Sequence, residues 1–133
     1  LYPQADMEPL DSNDASLVLW CAYEDFDLLL TGDLGSEGEE RLLSKEGLPR
    51  IDMLKVGHHG SKGSTSESFL KAIAPSWAVI SCGRENRYGH PHEELLNRLA
   101  QQQVDWRATK DSGGIELTFS DGRIRISGYS RGQ

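Results

Sequence analysis

The sequence predicts a layered α/β fold, in which a mixed β-sheet is flanked by helices. Short apolar runs typical of strands alternate with segments whose apolar residues recur at helical spacing. Short polar links at residues 24–25 and 121–122 predict antiparallel hairpins near both ends of the chain. The length of 133 residues suits one modest domain over 1–133. We divide it into an irregular opening segment, 1–15, and an α/β core, 16–128.

The first half is predicted to contain two strands, a helix and a third strand, over residues 16–23, 26–32, 37–45 and 51–56. The link Glu24-Asp25 is short enough for a hairpin between the first two strands. Residues 28–30 are continuously apolar, which predicts a strand covered on both faces. Ser36 is a good cap for the helix, because glutamates fill its first turn, and Gly47 ends it.

The second half is predicted to continue with a helix, a strand, another helix and three short strands, over residues 66–74, 77–82, 91–102, 104–108, 114–119 and 123–128. Phe69 and Ile73 recur on one side of the first of these helices, and Pro75 stops it. Pro91 suits the first turn of the second helix. The dipeptide Asp121-Gly122 is a strong hairpin signal between the last two strands.

Charge and apolar content limit what the chain can do. It has 14 basic and 21 acidic residues, a net charge of −7, which disfavours binding to a phosphate backbone unless bound cations reverse the local charge. The longest apolar run, residues 17–22, is too short to span a bilayer. The chain opens without an initiator methionine, so we expect a piece of a longer protein. Cys21 and Cys82 lie in strand-like segments, which predicts buried free thiols.

Polar residues collect where three successive strands end. They are the segments Thr31-Gly32-Asp33, His58-His59-Gly60-Ser61 and residues 86–92. Open α/β sheets bind ligands at the carboxyl ends of their strands, so we expect one site built from these three loops. Asp33 and His59 are 59 − 33 = 26 residues apart, the length of one crossover between neighbouring parallel strands.

The residue types at these strand ends leave several roles open. Asp33 is either a helix cap or a metal ligand, since carboxylate oxygen suits Zn²⁺ or Mn²⁺. Adjacent strand residues point to opposite faces, so His58 and His59 are not expected to hold one metal from one surface. His90 and His92 are either surface residues or part of the site.

Two further loop features are candidates for contact with a substrate. Asn86 and Arg87 either bind phosphate or fix their loop, and the forked donors of Arg87 make it the natural phosphate ligand. A serine-hydrolase role for Ser61 is not favoured, because the G-x-S-x-G elbow is absent.

Four segments together resemble a known family. They are LLLTGD at 28–33, LKVGHHGSKGSTS at 54–66, WAVIS at 77–81 and ENRYGHPH at 85–92. They resemble metallo-β-lactamase-fold hydrolases and, more closely, the C-terminal β-lactamase-like domain of the ComEC family of DNA-internalisation proteins. The resemblance covers about residues 2 to 118. It implies an αββα sandwich, of which this chain is the second half, because the H-x-H-x-D-H motif is absent.

The resemblance also implies a function and a division of roles. The domain is expected to be a metal-dependent phosphodiester hydrolase, a nuclease, in the DNA uptake channel of natural transformation, as a soluble domain of a bacterial inner-membrane protein. Two divalent ions, Zn²⁺ or Mn²⁺, are expected in the complete domain, and weak or no metal in this chain. The implied roles are metal ligands Asp33 and His59, catalytic residues His58 and His90, and substrate-binding residues Ser61, Asn86 and Arg87.

Partners and alternatives follow from the same comparison. Expected partners are imported DNA, the upstream half-domain and the membrane channel, with self-association through an apolar sheet edge. One alternative is another hydrolase of this fold, a phosphocholine esterase or lactonase-like enzyme. The other is a non-catalytic module that guides DNA, which an upstream sequence lacking the histidine motif would favour.

Overall fold

The structure is a computed structural model that describes Tyr2, residues 12–45 and residues 47–129. Its strands are β1 (Leu19–Tyr23), β2 (Phe26–Leu30), β3 (Met53–Lys55), β4 (Trp77–Ile80), β5 (Asp105–Ala108), β6 (Gly114–Ser120) and β7 (Arg123–Tyr129). Its helices are α1 (Ser36–Lys45), α2 (Glu67–Ile73), α3 (Glu93–Gln101) and the short α4 (Thr109–Ser112). Most of the predicted opening segment lies outside the described residues.

The main sheet has five strands in the order β1-β2-β3-β4-β5. The first pair, β1 and β2, is antiparallel, whereas each later pair is parallel. The predicted mixed sheet flanked by helices is therefore confirmed. The antiparallel finish is different from the prediction, because β6 and β7 form a separate two-stranded sheet. The turn of α4, which was not predicted, follows β5 directly and takes the chain out of the main sheet.

Strand and helix ends differ from the prediction where polar loops begin. Strand β3 has only three residues and ends at Lys55, so both adjacent histidines lie beyond it. Helix α3 begins at Glu93, which leaves Pro91 outside the helix rather than in its first turn. Helix α2 agrees closely with the prediction, since Ser66 is its N-cap and its side chain accepts the N–H of Phe69.

One face of the sheet and three helices enclose the core. Leu29, Leu54 and Ala78 are neighbours in register across β2, β3 and β4, so they point to the same face. All three are fully buried. The helical residues that join them in one apolar cluster are Leu42, Phe69, Leu70, Ile73, Leu95 and Leu99. This packing fixes the parallel strands, and with them the positions at which their carboxyl ends meet.

The second face of the sheet is only partly covered. Leu19 and Leu30 pair in register on this face, where Leu19 is 43% exposed and Leu30 is partly buried. The prediction that β2 is covered on both faces is therefore met only in part by the described residues. Cys21, on the same face, is exposed, which corrects the prediction of a buried thiol. Phe119 of the β6–β7 hairpin stacks on Phe26 at one end of the face, with ring centroids 5.7 Å apart.

Candidate active site at the carboxyl ends of the parallel strands

The two histidines lie in a tight turn after β3. The turn covers Gly57–Gly60, and His58 and His59 have φ values of 45° and 56°. Positive φ is uncommon for residues with a side chain, so the expected strand alternation does not describe this pair. Gly60 has φ +91°, and a Cβ there would lie 2.7 Å from Cβ of Pro91. The turn therefore requires glycine at this position.

His59 and Asp33 lie side by side at the ends of adjacent parallel strands. The Nδ1–H of His59 donates to the carbonyl oxygen of Ser81 at 2.8 Å, because a carbonyl can only accept. In the neutral ring the lone pair then lies on Nε2, and this atom lies 3.5 Å from Oδ1 of Asp33. Both side chains are about half exposed. The geometry places an imidazole nitrogen and a carboxylate oxygen where one ion can reach both.

The donor set matches part of a metal site. Imidazole nitrogen and carboxylate oxygen both suit Zn²⁺ and Mn²⁺, and a backbone carbonyl on the far ring nitrogen is the usual support for a ligating histidine. Among the described residues, no group of three or more histidine, cysteine, aspartate or glutamate side chains is close enough to hold a metal. The described part of the chain therefore offers His59 and Asp33 as two adjacent candidate donors.

A lysine that the sequence analysis did not single out lies beside this pair. Lys55 is the last residue of β3, and its ammonium lies 3.5 Å from the carbonyl oxygen of Gly32. Burial lowers the pKa of Lys55, and the carboxylate of Asp33 opposes that shift. Lysine in a strand pattern gives no functional signal, so only the fold identifies this cation as part of the site.

A cavity of about 380 Å³ opens next to the histidine turn. Its described lining consists of His58, His59, Cys82, Gly83, Asn86, Tyr88 and His90. The rings of His58 and His90 face each other with centroids 6.0 Å apart. Cys82 is only partly buried at the edge of the core, because β4 ends two residues earlier, which corrects the prediction of a buried thiol. Burial raises the pKa of the Cys82 thiol, so this cavity residue is neutral at pH 7.

The loop between β4 and α3 is held by the side chain of Asn86. Its amide nitrogen donates to the carbonyl oxygens of Gly83 and His90, at 2.9 and 2.8 Å. Its amide oxygen accepts the N–H of His90 at 2.7 Å. Asn86 thus fixes the loop, which was one of its two predicted roles, and it also lines the cavity.

The histidines crowd one another at this edge. The ring centroid of His90 lies 4.8 Å from that of His92. Burial lowers the pKa of His90, and the neighbouring His92, His58 and His59 lower it further, whereas Asp33 raises it. His90 is therefore neutral at pH 7 and has one N–H to donate.

Two predicted substrate-binding residues lie outside the described lining of the cavity. Arg87 is exposed in the loop after β4. The hydroxyl oxygen of Ser61 accepts the N–H of Gly63 at 3.3 Å, so this side chain shapes its own turn. The structure therefore brings Asp33, His58, His59, Asn86 and His90 together without these two.

The segment after the histidine turn is clamped from both sides. Nδ1 of His92 accepts the N–H of Lys62 at 3.0 Å. The guanidinium of Arg98, on α3, donates to the carbonyl oxygens of Lys62, Ser64 and Thr65. From α1, the buried carboxylate of Glu39 accepts the N–H groups of Thr65 and Ser66. Sequence analysis placed Glu39 among the acids of a first helical turn, because a tertiary cap leaves no local pattern.

Comparison with known proteins gives several related sequences. The chain is 40% identical over 121 residues to ComE operon protein 3 of Bacillus subtilis, 91% of this chain and 16% of that protein. It is 36% identical over 122 residues to competence protein ComA of Neisseria gonorrhoeae, 91% of this chain and 18% of that protein. It is 39% identical over 99 residues to recombination protein 2 of Haemophilus influenzae, 74% of this chain and 12% of that protein. No protein-family model matches the chain.

The chain spans less than a fifth of the length of these curated relatives. In the described residues, no helix is both long and apolar enough to cross a bilayer. The similarity extends over nine-tenths of this chain in the first two relatives, so it includes the strand-end segments that form the cavity. The predicted relationship is confirmed, and the chain belongs to the ComEC family of competence proteins as the counterpart of one segment of them.

Proposed function

We propose that this chain forms part of a metal-dependent phosphodiester-hydrolysing site in a ComEC-type DNA uptake protein. The observation that carries the proposal is the pair formed by Nε2 of His59 and Oδ1 of Asp33, 3.5 Å apart at the ends of parallel strands. The names of the relatives refer to competence and recombination, which favours DNA over a lactone or phosphocholine as substrate.

Hydrogen bonds within the protein orient both proposed metal ligands. The carbonyl of Ser81 fixes the tautomer of His59, so that Nε2 carries the lone pair that a cation needs. The N–H of Asp33 is held by the hydroxyl of Ser16 at 2.9 Å, which orients the residue without using its carboxylate. A bound divalent ion supplies Lewis-acid chemistry and lowers the pKa of a coordinated water.

The cavity histidines take different parts in this proposal. His90 is neutral at pH 7, because burial and its histidine neighbours lower its pKa, so it suits donation of a hydrogen bond to a phosphoryl oxygen. Because its pKa is lowered, little of His90 carries at pH 7 the second proton that a general acid would give to a leaving oxygen, which leaves His58 as the candidate acid. Lys55 and Arg87 are the cations available for charge on the phosphate.

The partly open sheet face supports a fold with a second sheet. Rows of apolar residues on this face include Leu28, Leu30 and Val79, which pack only partly. Two packed sheets usually bury such rows between them, about 10 Å apart. We infer that another segment of the parent protein covers this face and completes both a metallo-β-lactamase-type sandwich and the ligand set.

Metal titration and DNA cleavage test the proposal at two levels. By calorimetry, residues 1–133 are expected to bind Zn²⁺ or Mn²⁺ weakly and, in a gel assay, not to cleave DNA. In the full-length protein, Asp33→Ala and His59→Ala are expected to abolish metal-dependent cleavage, whereas the exposed control Asp25→Ala keeps it. Tight metal binding by the chain that Asp33→Ala removes would contradict the weak-binding expectation. Full cleavage activity in the full-length Asp33→Ala variant would refute the proposed function.

A further inference from the structure

We propose that Tyr88 is a base-stacking residue, which receives an unpaired nucleobase beside the phosphodiester bound in the histidine cavity. The inference rests on the proposed function and narrows its substrate class to single-stranded or locally unpaired nucleic acid. Tyr88 lines the cavity together with His58, His59 and His90, yet 70% of its side chain is exposed. It is the most exposed of the large apolar side chains in the described part of the chain.

The ring of Tyr88 is oriented by one aromatic neighbour. It stacks on the imidazole of His90 with centroids 5.7 Å apart and planes 25° apart. This is the offset geometry that aromatic pairs prefer. Since one face of the ring rests on His90 and most of the side chain is exposed, the other face is free for a flat ligand.

The loop that presents Tyr88 is held without help from its phenol. Asn86 makes three hydrogen bonds to Gly83 and His90, and its carbonyl oxygen accepts the N–H of Gly89 at 3.3 Å. Apart from its two chain neighbours, a Cβ added at Gly89 would meet no heavy atom within 4 Å, so the loop is open to solvent at this position. The fold therefore gains little from an aromatic ring at this position, whereas a ligand gains a fixed platform.

The negative net charge of the chain favours recognition of nucleic acid through base stacking. A net charge of −7 disfavours holding nucleic acid through phosphate contacts alone. Stacking of a base on an aromatic ring does not depend on net charge and tolerates every base. A base inside a duplex keeps both faces on its neighbours, so only an unpaired base can stack here.

Binding of base-bearing and abasic oligonucleotides tests the inference. We would measure fluorescence anisotropy of two labelled single strands of equal length, one with bases and one abasic, with the 133-residue chain at low salt and with Mn²⁺. Wild type and Tyr88→Phe are expected to bind the base-bearing strand roughly tenfold more tightly than the abasic strand. Tyr88→Ala is expected to bind both strands alike. Tyr23→Ala, which removes a 62% exposed tyrosine at the end of β1, where it pairs with Phe26 far from the strand ends that form the cavity, is the matched control.

Four outcomes would overturn the inference, and they separate it from the proposed function. Equal wild-type affinity for the two strands, or a base preference that survives in Tyr88→Ala, refutes stacking while leaving phosphodiester binding intact. Loss of the preference in Tyr88→Phe assigns the effect to the hydroxyl group instead. If neither strand binds, stacking by this chain is refuted, and cleavage by the full-length protein decides the proposed function separately.

Discussion

Replacing the buried carboxylate of Glu39 should destabilise the segment that follows the histidine turn. Glu39 is 1% exposed, and its two oxygens accept the N–H groups of Thr65 and Ser66. Thr65 has φ 52°, and Ser66 caps α2. Every buried side-chain nitrogen or oxygen in the described residues has a partner. The substitution Glu39→Ala would leave two backbone N–H donors without an acceptor.

The size of the effect follows from those two donors. A buried donor left without an acceptor costs about 1–3 kcal/mol. Thr65 is buried and Ser66 partly so, hence we expect Glu39→Ala to lower the free energy of unfolding by about 2–4 kcal/mol. In a chain of this length that lowers Tm by about 10 °C. Glu39→Gln keeps one acceptor oxygen and should cost about half as much.

The pH dependence has a definite sign. Burial raises the pKa of Glu39, although the N–H groups of Ser66 and Thr65 and the charge of Arg98 oppose the shift. The folded state therefore holds this proton at a pH where the unfolded chain has lost it. The stabilisation is complete below the ordinary pKa of glutamate and is lost as the pH rises through the raised value. The gap in stability between wild type and Glu39→Gln should thus narrow from acidic to neutral pH.

Urea unfolding followed by tryptophan fluorescence at several pH values measures both effects. Glu40→Ala is the control, because Glu40 is the exposed neighbour on the same helix. A Glu39→Ala variant within about 0.5 kcal/mol of wild type, or a control that costs as much, would refute the reasoning. A gap to Glu39→Gln that widens with pH would refute the assigned direction of the pKa shift.

Three further predictions concern the cavity. Gly60→Ala should lower stability in urea unfolding by about 2–4 kcal/mol, because of its φ of +91° and the proline Cβ 2.7 Å away. Gly63→Ala, with only Oγ of a serine at 3.9 Å, should be nearly neutral, and equal costs would contradict this. Asn86→Asp should cost about 1–3 kcal/mol in the same assay, since two donations to carbonyls are lost, and an unchanged midpoint would refute it. In an NMR titration, His90 should show a pKa below the ordinary histidine value, and Asp33→Asn should lower that pKa further. A rise in the pKa of His90 in Asp33→Asn would contradict this prediction.

Much of the fold was predictable because apolar spacing reports local structure. Helix α2 illustrates this, since Ser66, Phe69 and Ile73 fix its start and its buried side without reference to the rest of the chain. The hairpin at Asp121-Gly122 was equally local and is present. Local signals say nothing of which sheet a hairpin joins, so the separation of β6 and β7 from the main sheet was missed.

The candidate site was likewise predictable only in part. Asp33 and His59 were expected to be neighbours because one crossover separates them, and parallel pairing of β2 and β3 brings them together. Lys55 and Cys82 were missed as cavity or site residues, because both sit in apolar stretches that favour a structural role. Arg87 was expected at the site from its residue type alone. The structure of its loop places it outside the described lining of the cavity, and no sequence signal of comparable strength predicts that placement.

The clamp around the histidine turn bears on how the site works. A pair of non-glycine residues at positive φ carries a strain of about 1–3 kcal/mol each, which persists only where the surroundings impose it. Two helices hold the residues that follow the turn: α1 through Glu39, and α3 through Arg98 and its cap residue His92, whose contacts are to residues 62–66. These contacts use neither Nε2 of His59 nor the carboxylate of Asp33. The segment that follows the histidine turn is therefore held without either proposed donor atom, so its order does not depend on a bound cation.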